Sequence, residues 1–280
     1  MHSPDAGGLR PQLRTASRFA LIEQTRNRLA ALLLVLFVPT WYGMMALIVP
    51  HDPLKFRLFS AGVFVHVDGR HLSLITAGLN ALTLIVGFAV FAAVRRALPF
   101  DRRLVACGYR QFNLIGAKSV AVGAVSAGVG LYATLVLLAF WRPSLGGIVA
   151  IALAFVVIAL EYGALGLLLG VTVRGDLEGF FLIIMGSLMD TFLQNPVGNP
   201  VANKPALEYF PSFGPMQFAT SGAFTHTWIP GYLLLGLAWA ACFSALGLVI
   251  FQLRTATPPR ELLPPWIHRV IPRTRRGAGG

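Results

Sequence analysis

The stretch IVAIALAFVVIALEYGALGLLLGVTV, residues 148–173, contains one charged residue, Glu161. An α-helix rises about 1.5 Å per residue, so about 20 apolar residues cross the roughly 30 Å hydrocarbon core of a bilayer. A helix apolar on every side is buried in a large core or in lipid, whereas a surface helix shows one apolar stripe. The same reading extends outward to Leu29–Pro50, Leu72–Val94, Ser119–Trp141, Glu178–Gln194 and Ile229–Leu253. With Ile148–Val173 these predict six membrane spans. The fifth is the shortest, and is expected to end in irregular backbone.

Composition agrees. The 280 residues are 56% hydrophobic and 12% charged, about half the charged share of a soluble domain, and mean hydropathy is +0.69. The net charge of +12 sits beside the spans, which fits a positive-inside bias better than a nucleic-acid face. With six spans, eighteen Lys and Arg fall on the side of the termini and five on the other. That imbalance places both termini in the cytoplasm. The predicted organisation is a cytoplasmic tail over 1–28, a membrane domain over 29–253 and a basic tail over 254–280. Ahead of the first span, residues 13–28 mix apolar side chains with Arg14, Arg18, Arg26 and Arg28, a pattern suited to a helix flat on the inner leaflet or to a solvated helix. The C-tail has a short apolar cluster after Pro264-Pro265, and its remainder reads as disordered.

Several chemistries lack their residues. GAKS at 116–119 departs from the phosphate-binding Gly-x-x-x-x-Gly-Lys-Ser/Thr loop and opens a span. Neither His-Glu-x-x-His nor Gly-x-Ser-x-Gly occurs. His51, His66 and His71 follow no zinc-site spacing, so no metal site is expected. Cys107 and Cys242 lie at different depths and suggest no disulfide.

Polar residues within spans are functional candidates. An ionised Glu161 at mid-span costs at least ~2.5 kcal/mol, so the group is protonated, paired with another span or open to water. A structural hydrogen bond is its more economical role, and proton coupling the alternative. Asn80 and Thr83 suit either a transport path or an interhelical hydrogen bond. Ser187, Asp190 and Thr191 sit in the fifth span. Beyond it Pro196, Pro200, Pro205, Pro211 and Pro215 forbid one continuous helix, while Tyr209, Phe210, Phe213 and Phe218 favour a packed segment. Gly166 and Gly170 form a GxxxG pair that marks a close helix contact, most often within one subunit. In the second connection, Asp101 is a candidate N-cap for a short basic helix ending near Gly108. Such a helix is either a handle for a cytoplasmic partner or a lipid anchor.

Taken in order, RTASRFALIEQTRNR, a first span with FVPTW, the connection RRALPFDRRLVACGYRQFNLIGAKSV, the turn VRGDLEGF and the segment LQNPVGNPVANKPALEYFPSFGPMQF resemble ABC-2-type transporter permeases from about Arg14 to Leu253. The likeness lies in architecture and loose pattern. It implies an all-α membrane subunit of an ATP-binding-cassette exporter in the bacterial plasma membrane, with an interfacial N-terminal helix, a coupling helix and a re-entrant outer segment between helices five and six. Two permease subunits, identical or not, would pair above separate ATPase subunits that hold ATP and Mg; this chain itself would carry no cofactor. By position, Asp101, Arg102, Arg103, Tyr109 and Arg110 would contact the ATPase, with Arg174 and Asp176. The path for an amphipathic drug-, antibiotic- or lipid-like substrate would involve Thr40, Trp41, Tyr42, Asn80, Thr83, Ser187, Asp190 and Thr191. The alternative from a different class is a proton-coupled secondary transporter using Glu161 or Asp190.

Overall fold

A computed structural model describes residues 28–59, 62–107, 111–199 and 202–256. The expected interfacial helix up to residue 27, the C-tail beyond Ala256, Tyr109 and Arg110 lie outside them. The described chain is mostly helical: α1 (Arg28–Ile48), a hairpin of β1 (Pro53–Leu58) and β2 (Val63–Asp68), α2 (Gly69–Ala106), α3 (Gln111–Leu137), α4 (Leu145–Thr172) and α5 (Asp176–Leu193). A 3-10 turn at Pro205–Tyr209, α6 (Phe213–Thr220), a π-turn at Ser221–Thr225 and α7 (Pro230–Ala256) complete it. Four helices, α2, α3, α4 and α7, are long and apolar enough to cross a membrane. α1 contributes the shorter apolar stretch Leu34–Ile48, and α5 is 18 residues long with acids at Asp176, Glu178 and Asp190. The architecture is that of a membrane-embedded helical protein.

The apolar stretch over 148–173 becomes the centre of the bundle. α4 packs against α2, α3, α6 and α7, and Ile151, Phe155 and Ile158 are fully buried. Lipid is as apolar as leucine, so close packing of small residues largely holds such helices together. Gly166 shows how: a Cβ there would stand 2.5 Å from the Gly87 carbonyl oxygen of α2. The GxxxG pair therefore marks an α2–α4 contact within the chain.

Two features depart from the sequence expectation. The first connection is an antiparallel hairpin, with Pro53 opposite Asp68 and Leu58 opposite Val63, so the fold is not purely helical. Its turn uses Gly62 at φ +63°, a left-handed conformation glycine adopts without side-chain penalty. β1 is pinned from outside: the Arg57 amide donates to Asn203 Oδ1 at 2.9 Å, and Gln217 Nε2 donates to the Arg57 carbonyl at 3.0 Å. The second departure is the basic connection. Instead of a separate flat helix capped by Asp101, α2 runs unbroken for 38 residues through Pro99 to Ala106. Proline costs that helix one backbone hydrogen bond, yet its fixed φ is itself helical.

Candidate functional site

Inside the apolar bundle, two stripes of short polar side chains face each other. On α2 these are Ser73, Thr76, Asn80 and Thr83; on α5 and its C-terminal end, Ser187, Asp190, Thr191 and Gln194. All eight are buried. Offsets of three and four residues put each set on one helical face. The opposite face of α5 exposes Phe181, Met185 and Met189, as suits lipid or another apolar surface.

The stripes are joined by hydrogen bonds. Asn80 Nδ2 donates to Ser187 Oγ at 3.1 Å and to Thr191 Oγ1 at 2.9 Å. Thr83 Oγ1 and Ser187 Oγ lie 2.5 Å apart. The Thr191 hydroxyl in turn donates to the Ser187 carbonyl, 2.7 Å away. Higher up, Asn195 Nδ2 reaches Ser73 Oγ at 3.4 Å. Among the described residues Asn80 Oδ1 has no partner.

Asp190 anchors a second cluster. The Tyr162 hydroxyl of α4 donates to Oδ2 at 2.9 Å. The Ser212 hydroxyl donates to Oδ1 at 2.7 Å, and the Ser212 backbone amide lies within 3.2 Å of both oxygens. Gln194 Nε2 donates to Ser212 Oγ at 2.9 Å. These donors satisfy a buried carboxyl and bind the start of α6 to α5. Glu161, next to Tyr162, is fully buried as well, but among the described residues neither of its oxygens has a partner. The structural hydrogen bond expected for it is therefore absent there. A Cβ at Gly236 of α7 would collide with its carboxyl, so this helix approaches Glu161 closely because residue 236 has no side chain.

The first cluster borders a groove of about 160 Å³ between α1, α2 and α5, whose walls include Trp41, Met45, Asn80, Leu188, Thr191 and Phe192. The lining is mainly aromatic and aliphatic, with the Asn80 amide and the Thr191 hydroxyl among the few polar groups at its edge. Three expected path residues, Trp41, Asn80 and Thr191, line it, with Thr83, Ser187 and Asp190 outside that lining. Thr40 is exposed and bonds its own helix at Leu36 O. Tyr42 is buried with its hydroxyl 3.3 Å from the Ala133 carbonyl, away from the groove. Ser73, Thr76, Tyr162, Gln194 and Ser212 escaped the sequence reading. The 3–4 residue rhythm of Ser73, Thr76, Asn80 and Thr83 was the available signal on α2.

At the other end of α2, Arg95 brackets the turn between α4 and α5. Nε bonds Asp176 Oδ1 at 2.9 Å, and the terminal nitrogens bond the carbonyls of Val173 and Arg174 at 3.0 and 2.5 Å. Asp101 is buried and paired with Lys118, so its carboxyl faces α3. Arg103 is exposed.

The histidines of the first connection are rearranged by the hairpin. His51 Nδ1 lies 2.7 Å from Asp68 Oδ2, and His71 Nδ1 lies 3.6 Å from Asp68 Oδ1. Burial alone would raise the Asp68 carboxyl, but hydrogen bonds from the His71 amide and the His51 ring, with the charge of both imidazoles, hold it below the usual carboxylate range. No family model matches the chain, and no curated protein sequence matches it significantly.

Proposed function

We propose that this chain is the permease subunit of an ATP-driven exporter of amphipathic molecules. The observation that carries the reading is the pair of buried polar stripes on α2 and α5, which meet beside an aromatic groove within an apolar bundle. Buried polar side chains are costly in a membrane and concentrate where substrates or ions pass. The resemblance to ABC-2-type permeases adds the rest of the reading. α1 and α5 complete six spans, both termini are cytoplasmic, and a second permease subunit closes the open side of the groove. α6, with every residue buried, serves as the re-entrant outer segment. A separate ATPase, holding ATP and Mg, docks at the Arg103 end of α2 near Arg174. The test is isolation of the tagged chain from its native membrane in mild detergent. The expected result is a co-purifying chain that is labelled by a photoreactive ATP analogue and hydrolyses ATP several-fold faster with an amphipathic compound.

One observation favours a second reading, proton-coupled transport. Glu161 is a fully buried carboxyl without a partner among the described residues, a group able to exchange a proton between two conformations. Transport into vesicles driven by a pH gradient without ATP, abolished by Glu161→Gln, would support it over the first.

A further inference from the structure

We propose that His51, Asp68 and His71 form a binding site for a borderline divalent transition ion, Zn²⁺ above all, which clips the end of α1 to the start of α2. The hairpin brings His51 to a pair that is local in sequence: His51 follows α1, Asp68 closes β2, and His71, three residues on, stands in the first turn of α2. One ligand atom from each lies within 4.8 Å of the other two. A tetrahedral ion with bonds of about 2.0–2.1 Å separates its ligands by roughly 3.3 Å. His51 Nδ1 lies 2.7 Å from one Asp68 oxygen and His71 Nδ1 3.6 Å from the other, distances on either side of that spacing, so side-chain shifts would be needed to admit the ion.

The donor set decides which ion. Two imidazole nitrogens and one carboxylate oxygen suit zinc and its neighbours, while calcium and magnesium prefer all-oxygen shells. Three protein ligands leave a fourth position for solvent or another donor.

The ligands are also held in place. The His71 ring stacks on Trp141 at 4.4 Å and 10°, and Trp141 stacks on Phe224. Asp68 Oδ1 accepts the His71 backbone N–H at 3.0 Å, which orients the carboxylate as outer interactions orient metal ligands elsewhere. Arg70 is the unfavourable neighbour for a cation, but its Nε is bonded to the Val49 carbonyl at 2.9 Å. The competing account is a plain helix cap: Asp68 caps α2 and His51 merely hydrogen-bonds to it.

The experiment uses the full chain in detergent with a tag free of histidine. Co²⁺ is titrated while visible absorption is followed, and Zn²⁺ is then used to displace it. One equivalent of Co²⁺ should give ligand-field bands that one equivalent of Zn²⁺ removes, and Zn²⁺ should raise the thermal midpoint by mass action. His51→Ala and His71→Ala should abolish both effects. Asp68→Asn keeps an oxygen to accept the His71 amide, so α2 should start normally while affinity falls at least about tenfold, the scale seen for even outer-shell partners of metal ligands. His66→Ala should bind like the wild type. The proposal is overturned if the wild-type chain binds neither ion, if binding survives in both histidine variants, or if Asp68→Asn binds unchanged.

Discussion

Asn80 of α2 and Thr191 of α5 meet at 2.9 Å, the amide donating to the hydroxyl, and both line the groove. The contact ties together the two helices whose polar stripes define the candidate site. Asn80→Leu should test its role. Hydrogen bonds between membrane helices average only about 0.6 kcal/mol, and the Thr191 hydroxyl retains the Ser187 carbonyl as acceptor. Loss of both Asn80 bonds should therefore cost about 1 kcal/mol and leave folding intact. Stimulation of ATP hydrolysis by an amphipathic compound should fall several-fold. Unchanged stimulation with a matching loss of thermal stability would make Asn80 a packing residue.

Asp190 should behave in the opposite way. Asp190→Ala strips the carboxylate acceptor from the Tyr162 hydroxyl and the Ser212 amide, and each buried polar group left unsatisfied costs about 1–3 kcal/mol. We expect a large drop in thermal midpoint and faster hydrogen exchange over residues 205–225, because Ser212 holds that segment to α5. Asp190→Asn, which keeps one acceptor oxygen, should fall between the two. Normal exchange in the alanine variant would refute the anchoring role.

The Arg95 bracket separates charge from geometry. Asp176 is largely exposed, and exposed pairs are worth only about 0–1 kcal/mol, so Asp176→Ala should be nearly silent. Arg95→Ala also removes donors from the Val173 and Arg174 carbonyls at the end of α4. It should lower the thermal midpoint more than Asp176→Ala does, and the gap should persist in high salt, which screens only the ion pair. Equal effects would reduce the bracket to a surface salt bridge.

Parts of this molecule were plain in the sequence for clear physical reasons. A single Glu161 among apolar residues over 148–173 marks a buried helix, and Asn80, Ser187, Asp190 and Thr191 stand out because polarity is rare there. Tyr162 did not stand out, since a tyrosine in a span raises no alarm until a carboxyl is found opposite. Ser212 lies 22 residues from Asp190, in a proline-rich stretch with no periodicity to report its burial. The hairpin is hard to read because in β2 only Val65, His66, Val67 and Asp68 alternate apolar with polar, too few residues to compete with the span beside them. The basic connection after Val94 reads as a separate element capped by Asp101, yet the long helix runs through Pro99 and tolerates one missing backbone bond. His51 and His71 looked unrelated because linear spacing carries no information across a hairpin.

The continuity of α2 links the basic connection rigidly to the polar stripe. A motor below the membrane moves spans only through rigid contacts, and α2 runs from Gly69 in the first turn after the hairpin to Ala106. Arg103 is exposed near its end, so a push there would travel along the same helix that carries Asn80 and Thr83. Asp101 stays turned toward Lys118 and would brace that end. On the proposed function, Arg102→Glu with Arg103→Glu should leave the chain inserted but release the proposed ATPase, because truncating or reversing one side of a charged contact that docking buries typically costs about 2–5 kcal/mol. Transport should fall, and ATP hydrolysis should no longer respond to substrate. Arg275→Glu with Arg276→Glu makes the same charge change in the tail, and should do far less if the contact is specific. Co-purification of the ATPase with each variant is the deciding measurement. Equal loss in both pairs, or in neither, would make the end of α2 a general anchor to anionic lipid and count against the proposed ATPase contact.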